Sequence, residues 1–159
     1  MSPSQATPPK STAESAPEGA GLQLHPGWIP VLERVPLFQS LSKRHVRRVA
    51  RLAEMKRYKS GGGVVRAGAR GDAFYVILDG SVRVETPDGH TKDLHEGDYF
   101  GELALLDGAP RAATVSAMNS LATARIARTG FLKLLREEPE IGVGLAHGLV
   151  AIVRDLQAK

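Results

Sequence analysis

Phe100-Gly101-Glu102-Leu103-Ala104-Leu105-Leu106-Asp107-Gly108-Ala109-Pro110-Arg111-Ala112-Ala113-Thr114-Val115 is the stretch on which the reading of this chain turns. Glu102 opens a short helical turn, Leu103 to Leu106, and Asp107-Gly108 supplies a tight turn after it. Arg111 follows the glutamate by nine positions, at the mouth of an apolar, strand-like run. Such a segment can hold a small ligand that carries hydroxyls and a negative charge together. A carboxylate accepts from hydroxyl donors, and the planar, permanently charged guanidinium fits two anionic oxygens at once. Backbone N–H groups at the start of the short helix add partial positive charge for an anion.

Outward from this segment, Met55 to Ala127 is a series of short β-rich runs separated by Gly, Asp and Pro turns. The pattern predicts strands over 55–59, 63–67, 73–79, 81–86, 90–95, 112–118 and 121–127. Asp79-Gly80 and Pro87-Asp88-Gly89 read as hairpin turns. Many short strands at regular spacing argue for a sandwich or a jelly-roll barrel. The expected class is therefore α+β, mainly β: a jelly-roll barrel with N-terminal helices and C-terminal lid helices.

The flanks read as helical. Trp28, Ile29, Val31, Leu32, Val35 and Leu37 suit a short amphipathic helix that ends before Pro36. Ser42 caps a second helix of about twelve residues, with Val46, Val49, Ala50 and Ala53 on its apolar face. Lys43, Arg44, Arg47, Arg48 and Arg51 lie on its other face, as a solvated surface or as a site for an acidic partner or nucleic acid. Aromatic residues do not interleave with these charges, which argues against single-strand binding. After Ala127, Phe131, Leu132, Leu134 and Leu135 mark a short helix ended near Pro139. Ile141, Leu145, Leu149, Ile152 and Leu156 then form one stripe of a last helical segment. Gly142, Gly144 and Gly148 lie inside it, each costing roughly 1 kcal/mol relative to Ala. They fit either close packing on the barrel or a lid that settles only with ligand.

Residues 1 to 25, rich in Ser, Pro, Ala, Gly and Thr, hold too little apolar surface to offset ordering entropy and are expected as a disordered tail, with residues 26–159 as the domain. The 159 residues suit one domain plus that tail, and a hydrophobic fraction of 42% fills a single core. No apolar run approaches the ~20 residues a membrane helix needs, and no secretory segment opens the chain. A cytoplasmic protein without a membrane partner is the expectation. Cys is absent, which excludes disulfides and thiolate-bound zinc. The net charge of +4 helps to attract an anionic ligand.

The opening stretch resembles the phosphate-binding cassette of the cyclic nucleotide-binding domain family, in its F-G-E, L-A-L-L and P-R-A-A-T-V. Gly71-Asp72-Ala73-Phe74-Tyr75-Val76-Ile77-Leu78-Asp79-Gly80-Ser81-Val82-Arg83-Val84 resembles that family's glycine-bounded hairpin, and the likeness runs from about 30 to 157. The resemblance implies that Arg111 meets a cyclic phosphate and Glu102 the ribose 2′-hydroxyl. It implies backbone contacts from Gly101, Leu103 and Ala104, with Ala112 and Ala113 completing the cassette, and Val84 and Leu94 lining base and sugar. A Thr directly after the arginine favours guanine in the family, so Ala112 implies cAMP over cGMP. The family caps the base from its last helix, where this chain has no aromatic residue. Arg154 is the candidate to stack there, as in some bacterial relatives, or else a solvent-exposed charge. The implied protein is a bacterial cyclic nucleotide sensor that acts on a separate effector protein or a second copy of itself.

Other chemistries are weighed against this reading. A cAMP-responsive transcription regulator needs a recognition helix; with the chain ending at Lys159, only the basic N-terminal helix is left for DNA, so nucleic acid is an unexpected partner. A metal-dependent jelly-roll enzyme needs clustered ligands, whereas His25, His45, His90, His95 and His147 are scattered. There is no G-x-S-x-G elbow. Gly61-Gly62-Gly63 lacks the Lys-Ser/Thr of a P-loop. Residues 142–148 miss the dinucleotide pattern by one position. No catalytic residue and no metal site is expected.

Overall fold

The computed structural model describes residues 27–159. The expected tail lies outside the described residues. The chain opens with helix α1 (Trp28–Arg34), which ends at the extended Val35 just before Pro36, as read from the sequence. A 3-10 turn (Pro36–Phe38) leads to helix α2 (Lys43–Ala50). The Ser42 Oγ caps α2 by accepting from the His45 N–H at 3.1 Å. This helix is 8 residues long rather than about twelve, because the chain turns at Arg51 and enters a strand at Glu54.

Strands β1 (Glu54–Tyr58), β2 (Gly63–Val65), β3 (Ala73–Asp79), β4 (Ser81–Glu85) and β5 (Thr91–His95) follow. A short strand β6 (Tyr99–Phe100) was not expected, its 2 residues being too few to show a period. Then come helix α3 (Ala104–Asp107) and strands β7 (Thr114–Ala117) and β8 (Leu121–Ala127). Two helices close the chain, α4 (Arg128–Glu137) and α5 (Pro139–Gln157). The strands form two four-stranded antiparallel sheets, ordered β1-β8-β3-β6 and β2-β7-β4-β5. The mainly β roll with helices at both ends is thus the fold.

Alternation along β3 explains how the layers divide. Phe74, Val76 and Leu78 face outward into the larger core, which they share with Trp28, Leu32, Phe38, Val49, Phe131 and Ile141 of the helices. Ile77 faces inward and joins Val82, Val115, Ala117 and Leu121 in a smaller cluster between the sheets. Most of the apolar burial therefore lies between one sheet and the helices. The interior of the roll is left room for polar groups and a cavity.

Packing of the last helix bears on one of the two readings of its glycines, close packing on the barrel. A Cβ on Gly148 would collide with the carbonyl of Leu37, and one on Gly144 would lie 2.6 Å from the Leu41 side chain. The close approach is to the 3-10 turn and the segment after it, not to the barrel. Gly142 has open space around it. Ile141 and Leu145 of the stripe are buried, but Leu156 is 64% exposed. At the α4–α5 junction, Glu138 accepts from Arg48 and lies 3.5 Å from Arg44. Part of the basic face of α2 is therefore committed to an internal ion pair.

Candidate functional site

The cassette is held as a loop pinned from two sides. Its far end is laced to the turn before β3: Arg111 N–H donates to Ala69 O at 2.8 Å, Gly68 N–H to Arg111 O at 2.8 Å, and Gly71 N–H to Ala109 O at 3.0 Å. Its middle is α3, ended by Gly108 in the left-handed region at φ 63°. The Asp107 carboxylate accepts from Ala109 N–H at 2.9 Å, and Arg128, the first residue of α4, donates to Leu106 O at 2.9 Å. These bonds fix the backbone on both sides of Arg111 and tie the cassette to the C-terminal helices.

A cavity of about 430 Å³ opens against this loop. That lies within the roughly 300–1,000 Å³ of small-molecule sites. Of the residues expected at a site, Gly101, Glu102, Leu103, Ala104, Arg111, Ala112, Ala113 and Val84 all line it. Leu94 does not; it pairs with Val82 across β4 and β5 and packs on the inner apolar cluster. Arg154 is exposed on α5, away from the cavity lining. Val65, Phe100 and Val115 also line the cavity. Its walls are thus mainly apolar, with Glu102, Asp107 and Arg111 as the ionisable lining groups.

Arg111 is turned inward, its side chain only 7% exposed. Its Nη2 donates to Ala73 O at 2.7 Å and lies 3.7 Å from Asp72 Oδ1. Its Nε is buried with no hydrogen-bond partner. A guanidinium has five N–H donors, so an anion entering the cavity finds donors still open. Among the described residues, the N–H groups of Glu102, Leu103, Ala112 and Ala113 make no backbone hydrogen bond, and these residues line the same space. Ala104 and Leu105 are different: their N–H groups already reach Gly101 O and Glu102 O at 3.2 Å. The helix-start donors are therefore partly used within the turn.

Gly101 makes this geometry possible. Its φ is 87°, and an added Cβ would lie 2.6 Å from Arg111 Nη1 and 2.9 Å from Ala73 O. A side chain here would meet both the left-handed penalty, about 1–2 kcal/mol, and the guanidinium itself. Gly101→Ala is expected to lower stability by about that amount in urea denaturation. A midpoint equal to that of the parent would contradict the described packing.

Several residues around Arg111 carry no local sequence signal. Arg125, Tyr75 and Phe100 are register neighbours across β8, β3 and β6. Tyr75 stacks on Phe100 with ring centroids 5.0 Å apart, and both Arg111 and Arg125 approach its ring at about 6 Å (5.9 and 6.0 Å). Burial and the adjacent Tyr75 hydroxyl hold the phenol of Tyr58 above the ordinary tyrosine range, so it stays neutral. The only signal that points to these positions is their alternation into the roll, which needs the strand register to be known. Among the described residues, no three His, Asp or Glu side chains gather as a metal site, and no helix is long and apolar enough to cross a membrane.

Comparison with known proteins agrees with this geometry. The family model described as "Cyclic nucleotide-binding domain" matches residues 55–138. A cAMP-dependent protein kinase regulatory subunit of Aspergillus fumigatus is 42% identical over 106 residues, which cover 65% of this chain and 26% of that protein. A cyclic nucleotide-gated potassium channel of Rhizobium etli is 37% identical over 107 residues, covering 67% of this chain and 30% of the channel. The chain thus spans between a quarter and a third of the length of these relatives. Among solved structures, the N-terminal domain of a transcriptional regulator from Streptomyces coelicolor superimposes with a TM-score of 0.69 at 26% identity, over 79% of this chain and 94% of that one.

Proposed function

Because this chain belongs to the cyclic nucleotide-binding domain family, we propose that its cassette binds cAMP and that binding repositions its C-terminal helices to regulate a partner in the cytoplasm. The observation that carries the reading is the buried, unpartnered Nε of Arg111 beside a cavity that Glu102 also lines. A buried cation with open donors is costly by itself and is compensated when an anion arrives. Arg111 takes the cyclic phosphate, helped by the N–H groups of Leu103 and Ala112. Glu102 takes the ribose 2′-hydroxyl; a carboxylate so near a phosphate is tolerable only with a hydroxyl between them. Val84 and Val65 offer the apolar walls for the sugar and base. The curated relative of A. fumigatus carries cAMP dependence in its description, which supports the same ligand.

The base is selected by what stands at position 112. Ala112 lines the cavity and offers no hydroxyl to a guanine amine. Ala112→Thr is expected to raise cGMP affinity relative to cAMP in a competition titration. An unchanged ratio removes position 112 from base selection.

Recognition without turnover is the proposed chemistry. The carboxylates among the cavity's lining groups are Glu102 and Asp107, and Asp107 is engaged by Ala109 N–H. Signal transfer runs through the Arg128–Leu106 bond, which joins the cassette helix to α4, and then through α5 to the 3-10 turn. Such coupling requires the ligand to bind the two arrangements with different affinity, typically by 1–3 kcal/mol. The effector is a separate protein or a second copy. Calorimetry with cAMP and cGMP, with mass determination in each state, tests the reading. Failure to bind either nucleotide at millimolar concentration sinks it.

A further inference from the structure

Asp72 stands between two guanidiniums, and this arrangement raises an electrostatic problem that only one of them solves. Its Oδ1 is 3.7 Å from Arg111 Nη2, and its Oδ2 is 3.7 Å from Arg125 Nη2. If Arg111 and Asp72 were alone, their charges would cancel, and the carboxylate would repel any incoming anion. Asp72 nevertheless braces Arg111, so it cannot simply be absent. Arg125 supplies the second positive charge. Its Nε lies 3.3 Å from the Tyr75 hydroxyl, and its side chain is 21% exposed. Its other register neighbour, Glu54 on β1, is itself paired with Lys56 at 3.5 Å. Within this trio, two guanidiniums against one carboxylate leave a single net positive charge, beside a cavity that Glu102 and Asp107 also line.

We propose that Arg125 is a positioning residue for ligand charge: held by Tyr75, it neutralises Asp72 and so leaves the full charge of Arg111 for an anionic ligand. This rests on the reading of the cavity as a cyclic nucleotide site. The effect acts through Asp72 and requires no contact between Arg125 and ligand. The two guanidiniums are 7% and 21% exposed, where screening by salt is weaker than at the surface, whereas the Asp72 carboxylate between them is 60% exposed and more strongly screened.

The test compares two ligands that differ only in charge at phosphorus: cAMP and its neutral methyl phosphotriester. Arg125→Gln is expected to weaken cAMP about tenfold while changing triester affinity by less than about twofold, a selective electrostatic loss. Arg125→Lys, which keeps the charge, is expected to stay within about threefold of the parent for cAMP. In an Asp72→Asn background, Arg125→Gln is expected to lose most of its effect, because the carboxylate it neutralises is gone. Equal weakening of both ligands by Arg125→Gln overturns the proposal and assigns Arg125 to packing. So does a Lys variant as weak as the Gln variant, or a full effect that persists with Asn at 72. If Arg111→Ala abolishes cAMP binding while Arg125→Gln binds cAMP as the parent does, this inference alone fails. If the parent protein ignores both ligands, the underlying site assignment fails with it.

Discussion

Arg111→Ala is expected to weaken cAMP binding by at least ~2 kcal/mol, which is about thirtyfold or more in Kd. The substitution removes the one cation that lines the cavity among the described residues. It also leaves Asp72 with Arg125 as its one ion-pair partner among the described residues. Arg111→Lys is expected to lose a comparable amount, although the charge is kept. The lysine ammonium is a point charge on a flexible stem, whereas the guanidinium is a rigid fork. That fork is already seated: Nη2 on Ala73 O at 2.7 Å, with Nη1 against Gly101. Lysine cannot make that backbone bond and also present further donors to the ligand in a fixed plane. Calorimetry on the two variants decides the matter, and unchanged affinity in either refutes the role given to Arg111. Urea denaturation of the same samples separates lost binding from lost folding, because the Arg111 backbone is held independently by Ala69 and Gly68.

The cassette could be read from sequence because its chemistry is local. Glu102, the turn at Asp107-Gly108 and Arg111 sit within ten consecutive residues, and short-range turn geometry brings them to one cavity. The strands other than the two-residue β6 were legible for the same reason, since alternation and turn residues are properties of neighbours in sequence. Where contacts depend on register, the reading stopped. Arg125 sits in an apolar strand as an isolated charge, and nothing along the chain joins it to Asp72, 53 positions earlier. Leu94, expected as a wall of the site, is not among the cavity's lining residues, although it packs on the same inner apolar cluster as Val65 and Val84, which are. The glycines of α5 suggested close packing, but the identity of the opposing surface is a matter of tertiary geometry. It proved to be the 36–41 segment, so the last helix is braced by the first helices of the domain.

Phe38→Ala is the substitution expected to cost the most in stability, about 3–5 kcal/mol. Phe38 is 1% exposed and sits where three elements meet. Its ring lies edge-on to Phe74 of β3 with centroids 5.8 Å apart, and tilted against Phe131 of α4 at 6.3 Å. Truncation removes both aromatic contacts and opens a void that the backbone of the 3-10 turn cannot fill, since Leu37 O is already pressed against Gly148. A loss of this size is a large part of the 5–15 kcal/mol that holds an ordinary domain. Urea denaturation should show a much lower midpoint with an unchanged slope. A loss below ~1 kcal/mol would mean that the joint is not packed as described. The folded fraction should still bind ligand, because Phe74 and Tyr75 are consecutive in β3 and project to opposite faces of the sheet. Loss of stability with retained affinity would separate the frame that carries the C-terminal helices from the cavity that Arg111 serves.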